Sequence, residues 1–76
     1  MSVALEKYRK IIGKFYAGEF GNKSMCLHDI LEAGGGIGLL EKMSAEDISE
    51  LEAETSSLMM KSDLAKIRAK KMQEEA

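Results

Sequence analysis

Proline is absent from all 76 residues, and that absence constrains the chain more than any other feature. A locked φ and a missing amide are what usually break a helix from within. Without them, helices stop only where glycine or a capping side chain intervenes. Ala, Leu, Met, Glu and Lys dominate the rest. Their side chains lose little freedom in a helix, and strand signals are missing. The expected fold class is therefore all-α: a small helical hairpin or bundle, one domain over 1–76, with a short middle helix and a long C-terminal one.

Apolar spacing places the elements. Leu5, Tyr8, Ile12 and Phe15 recur at three-and-four intervals, widened by Ala4, Ile11 and Tyr16, and predict a first helix over about 2–17. Gly13 inside it marks a weak point or a close helix crossing. Gly18 and Gly21 punctuate a turn, after which Ser24 is the expected N-cap of a short helix over about 24–33. Gly34, Gly35, Gly36 and Gly38 end it and read as a hinge.

The clearest local signal is Ser44-Ala45-Glu46-Asp47, in which Ser44 can cap the Asp47 amide while the acids sit at the positive end of the helix dipole. A long helix over about 44–74 is expected from there. Ile48, Leu51, Leu58, Ala65, Ala69 and Met72 form its heptad-like seam. Met60, Leu64 and Ile67 form a second stripe on another face. Two apolar faces imply two partners or a break, and Ser62 offers a recapping point at 61–63.

A chain this short lies near the lower limit at which one core suffices without disulfides, metals or a second subunit. Cys26 is the only cysteine, so an internal disulfide framework is excluded, and a reducing cytoplasm is the expected compartment. Glu6, Lys7, Arg9 and Lys10 interrupt the start of the chain, which does not read as a signal peptide. No stretch approaches a membrane span. Self-association, most simply as a dimer, is expected to relieve the small core.

Charge is unevenly spread within a net of −2. Residues 1–23 carry five cations against two anions, residues 24–57 one cation against eight anions, and residues 58–76 five cations against three anions. Basic, acidic and basic thirds follow one another, so the first helix can lie beside the acidic segment.

Catalytic and ligand-binding motifs are sparse. Cys26, His28 and Asp29 form the one cluster resembling a reactive or metal site, yet a structural zinc needs about four ligands. Residues two apart on a helix also point roughly 200° away from each other. The glycine run lacks the lysine and hydroxyl of a phosphate loop, and Leu39 and Glu41 occupy the third-glycine positions of a dinucleotide motif. Neither an enzyme nor any cofactor or metal is expected.

A helix-turn-helix rhythm runs from Gly38 to Leu51, but its would-be recognition helix carries Glu46, Asp47, Glu50, Glu52 and Glu54, which phosphates repel. Nucleic-acid binding through the basic helices is thus the second reading. The first is a protein-binding module, an adaptor, regulator or inhibitor. Its expected contact residues are Leu58, Met59, Met60, Leu64 and Ile67, with Glu46, Asp47, Glu50 and Glu54 as an acidic surface able to imitate nucleic-acid charge.

Overall fold

The computed structural model describes residues 3–21 and 26–75. Four helices follow in order: α1 (Val3–Tyr16), α2 (Leu27–Ala33), α3 (Ala45–Glu54) and α4 (Leu58–Glu75), with a 3-10 turn at Leu40–Lys42. No strand occurs among the described residues. The protein is all-α, and its long C-terminal helix folds back on α3 as a hairpin. Glu52 pairs with Arg68, and Lys71 reaches the backbone around Met43, so the two helices run antiparallel.

The expected single helix over 44–74 is therefore two helices, and the break falls at 55–57 rather than at 61–63. Thr55, Ser56 and Ser57 compete for backbone groups instead of propagating helix. Thr55 donates its hydroxyl to the Leu51 carbonyl at 2.7 Å and turns extended, with φ −89° and ψ 126°. The Ser57 hydroxyl then accepts the Met60 amide at 3.4 Å while its carbonyl accepts the Lys61 amide at 2.9 Å, which starts α4. Ser62 recaps nothing; it is an exposed residue within α4.

The capping box at the start of α3 is present in both directions. Ser44 Oγ accepts from the Asp47 amide at 3.1 Å, and Asp47 accepts from the Ser44 amide at 3.4 Å. By contrast, α2 begins at Leu27, with Cys26 as a non-capping N-cap. Its first amide is satisfied from another helix, Leu27 N–H donating to Asp63 Oδ2 of α4 at 3.3 Å. The N-cap expected at Ser24 lies outside the described residues.

The glycine run is a packed turn, not a hinge. Gly36 N–H donates to the Leu31 carbonyl at 2.7 Å and Gly35 N–H to that of Glu32 at 3.2 Å, the crossed pair of a Schellman motif. Gly35 takes the left-handed φ of 72° that this motif requires. Gly34 and Gly36 serve a second purpose: a Cβ on either would come within 2.5 Å of the Ile11 side chain, so α1 approaches the bare backbone. Gly13 has no such role. A Cβ there meets nothing within 4 Å, so it marks no helix crossing.

One hydrophobic core joins the elements. Leu5, Tyr8 and Ile11 of α1 meet Leu27, Ile30 and Leu31 of α2, Leu39, Leu40 and Met43 of the connection, Ile48 and Leu51 of α3, and Met60 and Leu64 of α4. The Tyr8 hydroxyl is buried with no hydrogen-bond partner among the described residues. Burial, with smaller contributions from Tyr16 and Glu54, raises its pKa well above the ordinary phenol value.

Candidate functional site

The helix α4 is apolar on two faces, and the fold uses one of them. Met60 and Leu64 are 2 % and 0 % exposed, with Ile67 half-buried against the same core. These three were the expected contact stripe. As folded, Met60 and Leu64 cannot meet a partner; they hold α4 to the rest of the chain. Of the expected heptad-like seam, Ile48 and Leu51 are buried in α3, whereas its α4 members lie outside, Leu58 among them, which was also an expected contact residue. Leu58 is 83 % exposed and Met72 54 %, with exposed Ser62 and Ala69 and half-buried Ala65 between them.

Helical geometry explains the exchange of roles. At about 100° per residue, Leu58, Ser62, Ala65, Ala69 and Met72 fall within about 80° of one another, centred about 150° from Met60, Leu64, Ile67 and Lys71. Each set has three-and-four spacing, so periodicity alone does not rank them. Burial does: the inner set has large side chains throughout, whereas the outer one is small in its middle and large at its ends.

Charge on α4 is divided the same way. Arg68 is paired with Glu52 of α3, and Lys71 donates to the carbonyls of Glu41, at 2.8 Å, and Met43 beyond the 3-10 turn. These cations fasten the hairpin and answer carbonyls at a helix end. Lys61, Lys66 and Lys70 are exposed and make no ion pair among the described residues. Lys61 flanks the outer stripe on one side and Lys66 on the other, with Lys70 farther round toward the inner face.

The acidic segment is partly committed as well. Glu54 pairs with Arg9 of α1, which raises the Arg9 pKa further, and Asp47 closes the capping box. Of the four acids expected to form a surface, Glu46 and Glu50 remain exposed and make no ion pair among the described residues. The basic first helix thus reaches the acidic segment within one chain. Lys7, Lys10 and Lys14, on one side of α1, stay unpaired among the described residues.

A groove of about 460 Å³ lies between α2, the glycine turn and α4. Leu27, Leu31, Leu40 and Ile67 line it, 57 % exposed Ile37 stands at its edge, and His28, Glu41, Asp63 and Lys66 contribute polar groups of both signs. Sequence reading missed it, because Ile37 and Ile67 are 30 residues apart and only the turn brings them together. His28, Asp29 and Glu32 place donor atoms within 4.8 Å of one another on α2. All three are exposed, and the closest pair is His28 Nε2 to Glu32 Oε2 at 3.4 Å, an ordinary i,i+4 contact. No hydrogen bond joins the half-buried Cys26 thiol to His28.

No helix among the described residues is long and apolar enough to cross a membrane. Comparison with known protein families, with curated sequences and with solved structures finds no match.

Proposed function

We propose that the chain is a small non-enzymatic protein-binding module, an adaptor, regulator or inhibitor, that grips its partner through the outward face of α4. The supporting observation is the exposure of Leu58 and Met72 at the two ends of a small-residue stripe, on a helix whose other apolar face is already spent on the core. A leucine left 83 % in water gives up on the order of 1.5 to 3 kcal/mol that burial would return. Met59, 45 % exposed next to it, supplies an adaptable side chain.

The test is capture from an extract of the source organism with immobilised chain, comparing wild type with a Leu58→Glu, Met72→Glu variant. Both positions are exposed, so the variant keeps its helicity and loses the captured protein. Undiminished capture would refute the assignment of this face. Nucleic-acid binding remains the second reading, supported by Lys7, Lys10 and Lys14, which make no ion pair among the described residues. It requires retention on DNA or RNA that falls steeply with added salt, and loss on replacing those lysines.

A further inference from the structure

We infer that the outward face of α4 takes an acidic amphipathic helix of another protein, packed at close range over Ala65 and Ala69; the inference rests on the protein-binding reading above. Two independent properties of the face select that occupant. One is shape. Ser62, Ala65 and Ala69 form a shallow trough between Leu58 and Met72, and small side chains at a crossing let helix axes come near the lower end of the usual 8 to 10 Å. A helix backbone fits such a trough along its length. A bilayer would instead favour large apolar groups throughout, and three small residues in the centre provide little to insert.

The other property is charge. Among the described side chains, those nearest the stripe are Lys61 and Arg68 on one side, about 60° and 80° from its centre, and Lys66 on the other, about 80° from it; Lys70, Asp63 and Glu74 lie about 120° to 160° away, on the inner half of the helix. A partner with Glu or Asp beside its apolar seam would meet a cation on both sides, whereas a basic one would be repelled. The same flanks disfavour a second copy. Antiparallel pairing of two α4 helices would bring Lys66 near its own counterpart and Lys61 near Arg68, so the dimer expected from core size does not suit this face. Nucleic acid suits it no better: Leu58 and Met72 gain nothing from phosphates, and Arg68, the side chain best fitted to a bidentate phosphate contact, is held by Glu52.

The deciding experiment uses the intact chain and three fluorescent helical peptides with one Leu/Ala heptad seam and flanks of Glu, Gln or Lys. Fluorescence anisotropy at low and high salt reads their affinities. The Glu peptide is expected to bind tightest, by on the order of tenfold over the Gln peptide at low salt, with the Lys peptide weakest. A Lys61→Glu, Lys66→Glu variant should invert that order. Ala69→Trp, at an exposed position, should abolish binding by filling the trough while circular dichroism stays unchanged.

Equal binding of the Glu and Gln peptides, still lost in Ala69→Trp, would overturn the acidic partner and leave the protein-binding face standing. Failure of all three peptides, or binding indifferent to Ala69→Trp, would overturn both. Two further results would overturn the inference: association with phosphatidylserine vesicles that survives Ala69→Trp, and sedimentation showing dimers that Ala69→Trp dissociates.

Discussion

The inner and outer faces of α4 are built from the same residue classes at the same spacing, yet they have opposite fates. Inside, Met60 and Leu64 vanish into the core and Lys71 bends to backbone carbonyls. Outside, Leu58 and Met72 stand in water between lysines that make no ion pair among the described residues. Amphipathicity tells which residues of a helix go together, not which group turns inward. Side-chain volume decides that, because a core must be filled at near-crystalline density and the Ser62, Ala65 and Ala69 set would leave it hollow.

The sharpest way to break the comparison is to truncate one member of the inner set. Leu64→Ala should cost ~2 to 5 kcal/mol in urea unfolding, since Leu64 is fully enclosed. A cost near zero would mean the inner face is not the core. Next in size is the contact between α1 and the glycine turn, where Gly34 lies against the branched Cβ end of Ile11. Gly34→Ala should destabilise by ~1 to 3 kcal/mol through overpacking, measured in the same way. A neutral result would restore the hinge.

Tyr8 sharpens the contrast from the opposite direction, because the core there encloses a hydroxyl it does not satisfy. Tyr8→Phe should stabilise the protein by ~1 kcal/mol, raising the melting temperature by about 4 to 8 °C for a domain of this size. The phenol pKa is raised on folding, so its contribution is fully present below the unfolded value near 10 and is lost as pH rises beyond it. Alkaline melting curves should show this loss in wild type and not in Tyr8→Phe. The smallest effect belongs to the outer face. Leu58→Ala should stay within about 0.5 kcal/mol of wild type, and a larger loss would show that Leu58 supports the fold.

Much of this architecture was legible before any coordinates. The α1 stripe and the Ser44 capping box are local features, and the structure reproduces them within a residue or two of their expected limits. The break at 55–57 has a local signal too, in the Thr-Ser-Ser run and in Ser57 three residues before Met60, but the continuing apolar pattern masks it and points to 61–63 instead. Other features depend on distant partners. That Gly34 must be bare follows from Ile11, and that Arg9 and Arg68 are unavailable to a partner follows from Glu54 and Glu52. The candidate site was legible as a helix but not as one face: of its expected contact residues Leu58 and Met59 are exposed while Met60 and Leu64 are buried, because residues on opposite sides of α4 were equally periodic.

The bond from the Leu27 amide to Asp63 bears on the sequence of events in folding. With seven residues, α2 is too short to persist alone in water, where isolated helices below about 12 to 15 residues are marginal. Its opening turn is anchored by a carboxylate that arrives only when α4 has folded back along α3, a contact local in the chain. The arrangement predicts a direction of folding, with the C-terminal pair assembling first and α2 closing over it. Native-state hydrogen exchange would report this as earlier opening of α2 amides than of those in α3 and α4, and uniform protection would contradict it.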